Sequence, residues 1–84
     1  MVIFVATREG FKELELIILT GEYAVWIGDE VLLDKELDLI RDAGVYATNF
    51  LYVIDLNNQE VVNTALEYIA LHHPDERVWL EWMS

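Results

Sequence analysis

Five apolar residues in a row, Val2-Ile3-Phe4-Val5-Ala6, stand near the start of this chain with no polar position among them. A strand with one wet face alternates between apolar and polar residues. An unbroken β-branched run belongs to a strand covered on both faces, the situation of parallel sheets with helices above and below. Ala24-Val25-Trp26-Ile27 has the same character and is stopped by Gly28-Asp29. A third run, Asn49-Phe50-Leu51-Tyr52-Val53-Ile54, reads as a third strand over 49–54. Val78-Trp79-Leu80-Glu81-Trp82 alternates instead, which predicts a more exposed strand over 78–82 at a sheet edge.

Between these runs the period changes from strand to helix. Thr7 can cap a helix over 9–19 whose apolar positions include Phe11, Leu14, Ile17 and Ile18, and Gly21 sits where a helix C-terminal glycine belongs. Asp34 is a suitable N-cap for a helix reaching Ala43, with Leu37, Ile40 and Ala43 on one face and Gly44 ending it. Whether 30–33 adds a first turn to that helix or extends the preceding strand is open. Asn57 with Glu60 three positions on resembles a capping box for a helix over 58–72, along which Val61, Val62, Ala65, Leu66 and Ile69 trace an apolar stripe. Pro74 closes it.

The order is therefore β-α-β-α-β-α-β within one 84-residue domain, 1–84. Short connections and strict alternation predict an α/β fold: a single small three-layer domain around a four-stranded, mostly parallel sheet. Placing the uniformly apolar first and third strands at the centre gives strand order 2-1-3-4, with 3-2-1-4 as the alternative. Four strands make a sheet about 19 Å wide, and a helix with its side chains covers about 10 Å. Two faces thus call for about four helices, and the pattern supplies three. In the order 2-1-3-4 the bare quadrant falls over strands three and four, which points to Val78, Trp79, Leu80 and Trp82 as an interface for a second copy or a protein partner. Closure of the gap by the second helix or the C-terminal residues is the alternative.

Sixteen acidic against five basic residues give a net charge of −11. Such a surface repels nucleic-acid phosphates and anionic lipid headgroups, so direct nucleic-acid binding and membrane association are excluded from the expected functions. It attracts basic protein surfaces or divalent cations. The same acidity also serves solubility, and salt adaptation is a third reading of it. No apolar run is long enough for a membrane span, and Arg8 and Glu9 interrupt the first run before a secretory signal could form. With no cysteine in the chain, the cytoplasm is the expected compartment.

In open α/β sheets, ligands bind beyond the carboxyl ends of the strands. That edge would carry Thr7, Arg8 and Glu9, then Asp29 and Glu30, then Asp55, Asn57 and Asn58. Glu9, Asp29 and Asp55 are candidate ligands for Mg²⁺, which takes oxygen donors; Asp29, Asp55 and Asn57 serve equally well as helix caps. A phosphate cradle is not expected, because Thr7-Arg8-Glu9-Gly10 has one glycine and an acid beside it. His72 and His73 point about 100° apart on a helix, and their place at a helix C-terminus is favourable for a cation. There is no cysteine and the only serine is Ser84, so no catalytic residue is assigned. Trp26, Trp79 and Trp82 read as core or interface.

Element order, the acidic loop after the first strand and Asp55-Leu56-Asn57 after the third are similar to the Toprim domain of primases and topoisomerases. That resemblance implies magnesium held by Glu9 and Asp55, with Asn57 standing where the family has a second aspartate. His73-Pro74 before a strand containing Trp79 resembles the sulfur-relay α/β proteins of the DsrE/DsrH type, whose sulfur-carrying members use a cysteine that this chain lacks. The residues themselves favour a small acidic, non-enzymatic interaction or regulatory domain that self-associates or binds a basic protein surface, with no cofactor. A degenerate Toprim-like or other Mg²⁺-dependent nucleotide-handling domain is the alternative.

Overall fold

The computed structural model describes residues 1–81. Strands β1 (Val2–Val5), β2 (Ala24–Ile27), β3 (Ala47–Asn49) and β4 (Val78–Leu80) alternate with helices α1 (Arg8–Ile18), α2 (Asp34–Asp42) and α3 (Gln59–His72). All strand pairs are parallel, and the order across the sheet is β3-β2-β1-β4. The fold class is the expected one, and the order is the alternative 3-2-1-4 rather than the favoured 2-1-3-4.

The exchange has a local cause. The apolar run 49–54 is not the third strand. β3 comprises the three residues before it and ends at Asn49, paired to β2 alone. Phe50 and Ile54 do enter the core, but as anchors of a loop that leaves Leu51 94% exposed. An apolar run used as a two-point clamp makes no central strand. The centre falls instead to β1 and β2, whose residues Val2–Val5 and Val25–Ile27 are all buried.

The strand residues divide the core by parity, as a pleated sheet must. Ile3, Val5, Val25 and Ile27 meet Phe11, Leu14 and Ile18 of α1 and Ile40 of α2 on one face. On the other face, Val2, Phe4 and Trp26 meet Val62, Ala65 and Ile69 of α3, with Val78 and Leu80 of β4 packed beside them. Two helices therefore cover one face and one covers the other. α3 lies over β4, β1 and β2, and among the described residues no helix packs over β3 on that side.

Helix ends follow their chemistry. Thr7 caps α1 by accepting the Gly10 N–H at 3.0 Å. Gly21 and Gly44, beyond α1 and α2, take φ of +72° and +96°, the left-handed region where a Cβ is costly. Two expected caps move by one residue. Leu33, not Asp34, is the N-cap of α2, and Asn58, not Asn57, caps α3 by accepting the Glu60 and Val61 N–H groups. Among the described residues no helix is long and apolar enough to cross a membrane.

Candidate functional site

The crevice where this fold commonly takes ligands lies between the carboxyl ends of β1 and β4, where the chain's path across the sheet reverses direction. Here it is filled from within. The carboxylate of Glu81, immediately after β4, accepts the backbone N–H groups of Ala6 and Thr7 and the Thr7 hydroxyl, the last at 2.5 Å. Glu81 is 6% exposed. Its position at the first turn of α1 also suits a negative charge, because free N–H groups and the helix dipole both favour an anion there. Gly10 leaves room for it: a Cβ at that position would overlap the carboxylate. The loop that lacks a glycine-rich phosphate motif thus cradles an anion after all, one supplied by the chain's own side chain.

The remaining residues of this edge are held apart. The Arg8 guanidinium grips Glu36 with two bonds of 2.8 and 2.7 Å and donates to the Val31 carbonyl at 3.1 Å. Those bonds, together with the Leu33 N–H, lower the Glu36 carboxyl from its ordinary 4.5 to about 2. Glu9 lies exposed in the first turn of α1. The Asp29 carboxylate accepts from the Asn49 amide at 3.3 Å, and that of Asp55 accepts the Asn57 N–H at 2.9 Å. Among the described residues, no group of three or more His, Cys, Asp or Glu side chains is placed to hold a metal ion, so Glu9, Asp29 and Asp55 are not brought together.

At the fourth strand, Val78 and Leu80 face α3 and are half-buried. Trp79 projects to the opposite face and is 42% exposed. Trp82 lies outside the described residues.

A cavity sits on the other side of the sheet, beside α3 and over β3. It measures about 520 Å³ and is open to solvent. β2 contributes Trp26; the approach to β3 and the strand itself contribute Tyr46, Thr48 and Asn49. Phe50, Leu51 and Tyr52 come from the loop that follows. The C-terminal end of α3 closes the far wall with Tyr68, His72 and His73.

Its rings are mutually braced. Trp26 lies 5.3 Å from Phe50 and 5.6 Å from Tyr68, the latter at an interplanar angle of 78°. His73 stands at 87° to the Trp26 ring, and Tyr68 and His72 are 4.7 Å apart. Such tilted and edge-to-face contacts fix ring orientation beyond what area burial alone provides. Trp26 is 3% exposed, and among the described residues its Nε1 is the buried side-chain polar atom with no hydrogen-bond partner.

The groove's electrostatics come from behind its walls. None of its lining residues is Asp, Glu, Lys or Arg. Asp29 bonds to the lining Asn49, and Glu76 to Nδ1 of the lining His73 at 2.9 Å. The His73 ring and the N-terminal amine of Met1 both bond Glu76 and lower its pKa below the ordinary carboxylate value. Arg41 is spent on the Ala47 carbonyl, at 3.0 and 2.8 Å, which also blunts the outer edge of β3.

This groove is not visible in the sequence as a site, where Trp26 reads as core and the two histidines as a helix end. The signal that could have found it is the aromatic spacing of Tyr68 and His72, one helical turn apart, with Phe50 and Tyr52 on a neighbouring segment. No protein-family model, no curated protein and no solved structure matches the chain.

Proposed function

We propose that this chain is a non-catalytic interaction domain that docks a basic segment of a protein partner in the groove beside α3. The observation that carries the reading is the groove itself: an aromatic-walled channel over β3, on the part of the sheet left without a helix. Aromatic residues are enriched at protein interfaces because they bury large area at low entropic cost. A net charge of −11 and the Asp29 carboxylate bonded to the lining Asn49 favour a basic occupant and speed its approach. The crevice between β1 and β4 is filled by Glu81, which supports a site elsewhere on the molecule.

The test is an amide NMR titration of the full chain with a lysine- and arginine-rich peptide at physiological salt. A glutamate-substituted peptide serves as the control. Shifts confined to Tyr46, Thr48, Phe50 and the last turn of α3 are expected. Shifts spread over the acidic faces of α1 and α2, with the groove silent, would overturn the reading.

A second reading is favoured by Trp79. Self-association through the β4 edge, with Val78, Trp79 and Leu80 at the contact, would cover an indole that the chain's own helices leave half in water. A chain without cysteine is suited to a reducing compartment, and we place this activity in the cytoplasm.

A further inference from the structure

Resting on the self-association reading above, we infer that two copies join β4 to β4 antiparallel, about a two-fold axis at Trp79, so that their four-stranded sheets become one. The register follows from which backbone groups β4 has already used. The Arg77 carbonyl accepts from Val2, and the Glu81 N–H donates to the Phe4 carbonyl, both on β1. Strand alternation then turns the N–H and C=O of Trp79 to β1 as well, and those of Val78 and Leu80 outward. An antiparallel pair in which Val78 faces Leu80 of the second copy bonds every one of those outward groups. Trp79 then lies opposite Trp79 of the second copy at a non-hydrogen-bonded position, where Cα atoms stand about 4.5 Å apart and side chains come closest. A slip of the pairing by one step either way leaves Leu80 or Val78 facing a residue outside β4.

The flanks of this edge suit a second copy of an acidic chain because they are poor in acid. Opposite the groove-lining Tyr68 and His72, the side of α3 toward β4 carries Gln59, Asn63, Leu66 and Ala70 at helical spacing. None of them is charged, and Gln59 is bonded to Asn63. On the other face Gly10 stands against Glu81, so the side of α1 toward β4 is Gly10, Glu13 and Ile17. Ile17 and Trp79 are both exposed on that face. The antiparallel register carries Arg77, on the Trp79 side of the strand, to the end of β4 where the second copy holds Gly10 and Glu13. Opposite charges therefore meet on each side of the axis, around an aromatic, uncharged centre of the kind interfaces use. The other edge of the sheet is guarded, since Arg41 occupies the Ala47 carbonyl of β3. Head-to-tail joining of β4 to β3 would run on into a fibre, whereas the two-fold contact closes as a dimer.

The chain has no cysteine, so a single introduced thiol reports the axis directly. Sedimentation of the full wild-type chain over a concentration series is expected to show a dimer. Its Val78 and Leu80 amides should exchange with deuterium more slowly as concentration rises, a readout that needs no substitution. Trp79→Cys, oxidised with diamide, is expected to form a covalent dimer, because the paired Cα atoms fall within the roughly 4.4–6.8 Å that a disulfide spans. Arg77→Cys is expected to stay unlinked under the same oxidation, since the register sets its two thiols about 13 Å apart along the strands. Three results would overturn the axis and spare self-association in a wild type that sediments as a dimer: no link through Trp79→Cys, an equal link through Arg77→Cys, or Val78 and Leu80 amides that exchange as in the dilute chain. A wild type that sediments as one chain at every concentration removes both.

Discussion

The carboxylate of Glu81 stands where a β-carbon on Gly10 would be. One residue has given up its side chain so that another, at the far end of the described chain, can reach the first turn of α1. Gly10→Ala therefore has two opposed effects. It gains about 1 kcal/mol of helix propensity, and it evicts a charged acceptor whose bonds contribute about 1–3 kcal/mol. Net destabilisation is expected in the native chain. In a Glu81→Ala background the eviction vanishes and the same substitution should stabilise. A double-mutant cycle by denaturant melts reads this reversal of sign; an equal effect in both backgrounds would mean the carboxylate is not at Gly10.

Acid should act on the Arg8–Glu36 pair in a defined window. Glu36 is held at about 2, first by its bonds from Arg8 and then by the Leu33 N–H, against an ordinary 4.5. A depressed carboxylate contributes stability that is whole above its ordinary value and is lost as pH falls through its folded one. In Arg8→Gln the carboxyl should titrate higher, short of the ordinary value because the Leu33 bond remains. Carboxyl-carbon NMR titration checks the shift. The melting difference between wild type and Arg8→Gln should shrink as pH drops from 4.5 towards 2.

The loop after β3 should show a sharp contrast between adjacent positions. Phe50 touches the rings of Phe4, Trp26, Tyr52 and Tyr68. Phe50→Ala is expected to cost about 3–5 kcal/mol. Leu51→Ala, one residue on and almost wholly in water, should stay within about 0.5 kcal/mol. Chemical denaturation distinguishes these values. Comparable losses at both sites would contradict the clamp.

Self-association has its own readout. If β4 joins two copies, Trp79→Glu should reduce the sedimenting mass to that of one chain while leaving the melting profile of the monomer. A wild type that sediments as a single chain at high concentration removes the second reading and leaves the groove untouched.

β1 and β2 are legible in the sequence because burial on both faces writes an unbroken apolar run. β4 is legible as an edge from its alternation. β3 is not, because Ala47-Thr48-Asn49 carries no apolar signature. A short edge strand is held by backbone pairing to β2 and by Arg41 on the Ala47 carbonyl, neither of which leaves a hydrophobic pattern. The stronger pattern next door belongs to Phe50 and Ile54, and reading it as a strand moves the third strand to the centre and inverts the order. The same misplacement puts the bare quadrant over β4, when the observed order leaves β3 uncovered beside α3. Too few helices for two faces is a property of composition and pattern; which strand goes without one depends on topology. The groove assembles residues from three separate segments, so no local spacing announces it. Glu81 is invisible for a different reason: its partners are backbone N–H groups, which every residue has.

The pairing of β1 with β4, Val2 opposite Val78, sets an order of events for biosynthesis. A ribosome delivers Val2–Val5 early and Val78–Leu80 only after both other strands and all three helices have emerged. Until β4 exists, the most deeply buried strand can pair on the β2 side alone, and its other edge has no partner strand. Its exposed amides and carbonyls form the kind of template on which nascent chains misassociate. Translation speed over the last helix, and any chaperone that shields an unpaired strand, therefore bear on the yield of this protein more than on its final stability.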